Sequence, residues 1–243
     1  MSTPSTSVER TNVISLSDEA AVRQVLAESV YGLWDVINNL TRLRPTRRES
    51  YRVTIFGSAR AKPGTFAYEE TKRVSEALAE MGCDIITGGG PGLMQAANEG
   101  AEATGRTGDS LGIRVDLPFE QEANRFVELA FEHRTFFTRL HHFVLASDAF
   151  IVAPGGIGTV LETLMIWQLL QVRHLEDTPL ILVGKMWPGL VEWARDAMLS
   201  FETPLANAED LDIPVCVADS EEAIAIIREC HERWARQSAT TIN

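Results

Sequence analysis

One stretch of this chain joins a candidate anion cradle to a carboxylate: Pro154-Gly155-Gly156-Ile157-Gly158-Thr159, followed by Glu162. Glycines let a ligand approach the backbone closely, and a helix N-terminus offers unpaired N–H groups with partial positive charge, so a turn of this kind suits a phosphate. Glu162 falls in the first helical turn of this reading. A carboxylate beside a phosphate cradle serves little purpose unless it acts on something attached to the phosphate, and a phosphorylated sugar is the ligand that first fits. The four residues Thr159 to Glu162 also have a purely structural reading. Thr-x-x-Glu is a capping-box pattern, in which Glu162 bonds back to the Thr159 backbone and stabilises the helix start. The two roles are compatible.

The elements that must hold these groups follow from the hydrophobic pattern. Ala149 to Ala153 is the short apolar run of a strand buried on both faces. After the glycine turn, Leu161, Leu164, Met165, Gln168, Leu169 and Val172 recur at helical spacing, which puts most of the apolar groups on one stripe of a helix. The same alternation recurs along the chain. Strand-like runs at 51–57, 83–87, 110–115, 148–153, 180–184 and 213–218 alternate with helical patterns at 66–81, 91–104, 134–146, 159–173, 187–200 and 220–236, and 126–132 could add a strand. Repeated βα units predict an α/β fold: a doubly wound, Rossmann-like parallel sheet of six or seven strands with helices on both faces. Ligands of such sheets bind at the carboxyl ends of the strands. The loops there include Gly57-Ser58-Ala59-Arg60 and Gly88-Gly89-Gly90-Pro91-Gly92-Leu93-Met94, the latter a second candidate cradle. No loop reads G-x-G-x-x-G, which disfavours a nicotinamide or flavin cofactor.

With 243 residues and 45% hydrophobic content the chain can bury a full core, and a net charge of -12 argues against a nucleic-acid polymer or an anionic membrane as its partner. Three widely spaced cysteines, Cys83, Cys216 and Cys230, suggest neither a disulfide framework nor a metal cluster, and a cytoplasmic location is expected. The expected organisation is a disordered Ser/Thr-rich start at 1–17, an amphipathic helix and basic linker at 18–48, the main domain at 49–236 and a tail at 237–243. The N-terminal helix is too apolar on one side to stand free in water, so it should pack on the core or on another subunit.

Gly88 to Met94 together with P-G-G-x-G-T-x-x-E at 154–162 resembles the LOG family, the cytokinin riboside 5′-monophosphate phosphoribohydrolases often mislabelled lysine decarboxylases. The likeness covers residues 51–218. It implies cleavage of the N-glycosidic bond of a nucleoside 5′-monophosphate, AMP or an N6-substituted AMP, to free base and ribose 5-phosphate, with no cofactor or metal and at least a homodimer. Carried over by position, it makes Gly155, Gly156, Gly158 and Thr159 phosphate binders, and Glu162 and Arg139 the catalytic pair. Ser58, Gly89, Gly90, Gly92 and Met94 become further substrate contacts. The chain departs from the family at Leu140, where a lysine usually follows the arginine, and in its N-terminal helix. The chemistry fits these residue types: breaking a C1′–N bond builds positive charge on the ribose, which a fixed carboxylate stabilises, while an arginine can pair with phosphate or assist the leaving base.

Two other classes compete. A non-catalytic carrier of a phosphorylated or molybdopterin-type ligand would use the same fold and glycine loop, but has no call for Glu162 with Arg139. A pyridoxal phosphate decarboxylase would need a Schiff-base lysine, and the only lysines are Lys62, Lys72 and Lys185, none in a glycine loop. Adjacent His141 and His142 point to different sides of a helix, so they read as surface or interface residues and not as a metal pair.

Overall fold

The computed structural model describes residues 17–40, 49–105, 110–116 and 123–240 and, within them, all side chains except those of 34–40 and 238–240. The Ser/Thr-rich start before Ser17 and the linker at 41–48 lie outside the described residues. The chain divides into two units, 1–46 and 47–243. The first holds α1 (Glu19–Leu40). Asp18 caps it by accepting from Ala21 N at 3.1 Å, and Glu19 pairs with Arg23 one turn on at 3.3 Å.

In the second unit the apolar runs become seven strands: β1 (Tyr51–Phe56), β2 (Cys83–Thr87), β3 (Ser110–Val115), β4 (Leu129–His133), β5 (Ala149–Val152), β6 (Leu180–Val183) and β7 (Pro214–Val217). Between and after them lie α2 (Phe66–Glu80), α3 (Leu93–Glu102), α4 (Phe136–Ala146), α5 (Ile157–Gln171), α6 (Pro188–Leu199) and α7 (Ser220–Thr240), with a 3-10 turn at Ala208–Leu211 before β7. The candidate strand at 126–132 is β4, shifted to 129–133, and α7 runs four residues past the expected end at 236. All neighbouring strands pair in parallel, in the order β4-β3-β2-β1-β5-β6-β7. This is the doubly wound α/β sheet that the alternation predicts.

Side chains alternate across each strand and feed two cores. Val53, Ile55, Ile85, Ile151 and Ile181 meet α2, α3 and α7 on one face. Phe56, Ile86, Phe150, Val152 and Leu182 meet α4, α5 and α6 on the other. Phe150 and Trp187 are fully enclosed, and truncating either to alanine would cost about 3–5 kcal/mol. Strand order reverses between β1 and β5, whose register pairs Phe56 with Val152, so both strands end level. The turns after β1 and β5 therefore leave side by side, with α2 crossing one face and α5 the other, and a crevice opens between them.

The apolar stripe of α5 is split by the fold: Leu161, Leu164 and Val172 are about half exposed, Met165 and Leu169 pack partly buried against the core, and the residues fully buried are Thr159, Glu162, Thr163, Ile166 and Trp167. The helix is apolar almost all round, so periodicity could not tell its two faces apart.

Candidate active site

Three elements converge at the crevice. Thr135 caps α4 by accepting from Thr138 N at 3.2 Å, which fixes where the helix starts and puts Arg139, Leu140, Phe143 and Val144 on its buried stripe. An arginine on such a stripe must find partners, because a buried unpaired charge is costly. Arg139 Nε donates to the carbonyl of Ile113 on β3 at 2.9 Å, and Nη1 donates to Glu162 Oε1 at 3.1 Å. Its guanidinium also lies 5.2 Å from the Phe143 ring centre. Glu162 is 8% exposed and Arg139 9%. Burial pushes the Glu162 carboxyl up to about 7, against the opposing pull of Arg139. A glutamate held there changes charge near neutrality, as an acid–base or electrostatic catalyst requires.

The helix start explains Glu162 further. Helix α5 begins at Ile157 with Gly156 as its N-cap and no side-chain cap bond. Glu162 is therefore in the second turn and not the first, and its carboxylate goes to Arg139 instead of the Thr159 backbone. The capping-box reading fails for that reason. The first intrahelical bond is Val160 N to Gly156 O at 3.0 Å, which leaves the N–H groups of Ile157, Gly158 and Thr159 ahead of it. Space lies in front of them: a Cβ placed on Gly156 or Gly158 would meet nothing within 4 Å. Gly155 differs, because the buried Thr159 side chain packs against it and a Cβ there would collide.

The second glycine turn borders the same crevice. A side chain at Gly88 would run into Arg139 Nη2 and the Met94 sulfur, so both of these lie over Gly88. Gly92 has φ +71 and is pressed on the Ser58 carbonyl. Leu93 N donates to that carbonyl at 2.8 Å, and Ser58 N donates to Pro154 O at 3.1 Å. The turns after β2, β1 and β5 are thus tied edge to edge by backbone. Leu140 is buried on the α4 stripe, so Arg139 is the one cation that the described residues place beside Glu162.

A family model described as possible lysine decarboxylase matches residues 94–227. The chain belongs to this LOG-type family. Its fold is similar to that of the molybdenum cofactor carrier protein of Chlamydomonas reinhardtii, with 18% identity, a TM-score of 0.56, and coverage of 75% of this chain and 98% of that one. The molybdenum cofactor binding protein of the phototrophic bacterium Rippkaea orientalis gives 19% identity, a TM-score of 0.56, and coverage of 75% and 98%. No curated protein matches the chain in sequence.

Within this LOG-type chain the structure also brings forward residues that sequence reading missed. Buried Asn98 on α3 accepts from Thr87 Oγ1 at 2.7 Å and donates to Ser110 Oγ at 2.9 Å. Thr87 Oγ1 in turn accepts from Gly89 N at 2.9 Å, and Asn124 donates to Gly90 O and Asn98 Oδ1, both at 3.0 Å. This network pins the 88–92 turn from below, and an asparagine in a helical pattern gave no sign of it. His142 does not act with His141. It meets His133 of β4 at 2.9 Å between ring nitrogens, and burial lowers the pKa of both rings. Among the described residues no group of three or more metal-binding side chains forms.

Proposed function

We propose that this chain hydrolyses the N-glycosidic bond of a nucleoside 5′-monophosphate. The observation that carries the reading is a buried, hydrogen-bonded Glu162–Arg139 pair beside a helix N-terminus that has no side-chain cap and has open space at Gly156 and Gly158. The 5′-phosphate accepts from the N–H groups of the first α5 turn, with Thr159 set by its packing on Gly155. That places the ribose near Glu162. The C1′–N bond breaks with its electron pair leaving on the base, water oxygen bonds to C1′, and one water proton ends on the base nitrogen. Ionised Glu162 stabilises the oxocarbenium-like charge and can orient the water. Arg139 holds that carboxylate in place and keeps part of its population ionised. AMP and N6-substituted AMP are the proposed substrates.

The test is product analysis with AMP, N6-substituted AMP, pyrimidine mononucleotides and adenosine. AMP should yield adenine and ribose 5-phosphate, and adenosine should be inert, because phosphate binding energy is used at the reacting ribose. Equal turnover of AMP and adenosine, or none of any mononucleotide, would sink the proposal.

The carrier reading draws support from the two similar structures, whose names speak of the molybdenum cofactor. Against it stands the titratable carboxyl of Glu162, which a passive phosphate cradle does not need. The decarboxylase reading lacks a lysine of the right kind. Lys62 and Lys185 are exposed, and Lys72 is held by Glu99 at 2.7 Å on the α2–α3 surface. Pyridoxal phosphate chemistry needs a lysine at the phosphate site, and the residues there do not fit it.

Self-association belongs to the same proposal. From Ile157 to Val172 the only charged residue is Glu162, which faces inward, while Ile157 is 87% exposed and Leu161, Leu164 and Val172 are about half exposed. On a chain of net charge -12, an uncharged apolar face is where two copies meet without repulsion, and a two-fold axis lets one such face cover itself. Leu164→Glu should convert the assembly to monomers in sedimentation analysis; an unchanged sedimentation coefficient would count against this face. No helix among the described residues is long and apolar enough to cross a membrane, and a cytoplasmic location is part of the proposal.

A further inference from the structure

We infer that Phe136 is the platform on which the base of the substrate stacks, and that it sets a preference for purine over pyrimidine mononucleotides. The inference rests on the phosphoribohydrolase reading of this site. Phe136 is the first residue of α4, which begins just after the outer strand β4 ends, on the same carboxyl edge of the parallel sheet as the glycine turns after β2 and β5. Residues 136, 139, 140 and 143 share one helix face by their three- and four-residue spacing. The last three are buried, Arg139 at 9%, Leu140 at 8% and Phe143 at 0%, whereas Phe136 is 45% exposed. The stripe that carries Arg139 inward therefore ends in a half-open aromatic ring one turn above the guanidinium. Helical side chains lean toward the N-terminus, which takes the ring further over the crevice edge.

The order of groups across the site matches the order of parts in a mononucleotide. The start of α5 takes the phosphate, Glu162 takes the ribose carbon, and Arg139 lies beyond Glu162 at 3.1 Å. Arg139 and the Met94 sulfur both lie over Gly88, and Phe136 precedes Arg139 by one turn on the same face of α4. A base that extends from C1′ past Arg139 along this face of α4 would meet the Phe136 ring. Aromatic faces hold bases by stacking with little regard to hydrogen-bond pattern, and a purine covers more of a phenyl ring than a pyrimidine does. Phe137 is 80% exposed and turned about 100° from Phe136, so it lies off the helix face that carries Arg139.

The test compares the full-length chain with Phe136→Ala and Phe136→Trp by steady-state kinetics with AMP and UMP, with ribose 5-phosphate as a competitive inhibitor that carries no base. Phe136→Ala should raise KM for AMP about tenfold or more and raise that for UMP less, while the inhibition constant of ribose 5-phosphate stays within about twofold. Phe136→Trp, which keeps an aromatic face, should retain AMP binding. Equal weakening of AMP and ribose 5-phosphate, or an unchanged KM for AMP in a folded Phe136→Ala protein, would overturn the inference while leaving hydrolysis standing. If the parent protein releases no base from any mononucleotide, the hydrolase reading fails and this inference falls with it.

Discussion

Both glycine turns of this chain follow a buried parallel strand, and in the sequence they look alike. In the turn at 88–92 the chain itself fills the room that glycine leaves. A Cβ would strike Arg139 and Met94 at Gly88, would sit 2.9 Å from Arg114 Cγ at Gly89 and 2.8 Å from Met94 Cε at Gly90, and would collide with the Ser58 carbonyl at Gly92. In the turn at 154–158 only Gly155 is occupied in this way, and Gly156 and Gly158 face open space. The first turn is glycine-rich so that neighbouring turns and Arg139 can close on it. The second retains glycines where the fold does not demand them, and this open space is where we propose that the phosphate sits. A glycine cluster by itself distinguishes neither case.

The largest effect expected separates the chemistry beside the second turn from its folding. Glu162→Gln should lower base release from AMP by about 10²–10³-fold, because the charge that stabilises the transition state is gone, while the fold is kept because the amide oxygen can still accept from Arg139 Nη1. Base release by the parent should rise as pH increases through about 7, as Glu162 ionises. Stability should move the other way. A carboxyl at about 7 in the fold and 4.5 in the unfolded chain contributes stability that is complete below 4.5 and is lost as pH rises through 7, an effect on the order of 3 kcal/mol. Glu162→Gln should flatten both profiles. Retained activity in the Gln variant, or an acid limb near 4.5, would remove Glu162 from the chemistry.

The smaller effects set one turn against the other. Gly92→Ala should cost about 2–4 kcal/mol in thermal or urea melting, since alanine at φ +71 is strained and would press on the Ser58 carbonyl. Gly158→Ala should act with the opposite sign on stability, raising it by up to about 1 kcal/mol because alanine suits a helical position better, while weakening AMP binding several-fold. A Gly158→Ala protein with unchanged KM for AMP would mean that the open space is not where phosphate sits.

The carboxylate reading of Glu162 was legible because a strand, a glycine turn and a helix were each recognisable by composition and period, and their junction places Glu162 near a helix start. The helix boundary is not: Ile157 and Gly158 carry no start signal, so the pattern places the start of α5 two residues late and suggests a capping box among residues whose side chains go elsewhere. Arg139 was assigned through family resemblance alone. In sequence it is one arginine on an amphipathic segment, and only the stripe phase fixed by the Thr135 cap turns it inward to Ile113 O and Glu162.

The sequence by itself determined the alternation of strands and helices, hence the parallel sheet and the edge of it where loops gather, because hydrophobic period and glycine punctuation are local properties. Tertiary structure decided which face of α5 is buried, which glycines leave space, and that a carboxylate and a guanidinium 23 residues apart share one buried site. Those depend on how separate segments pack against one another. Pairing across a sheet is a matter of distance in space, on which spacing along the chain is silent.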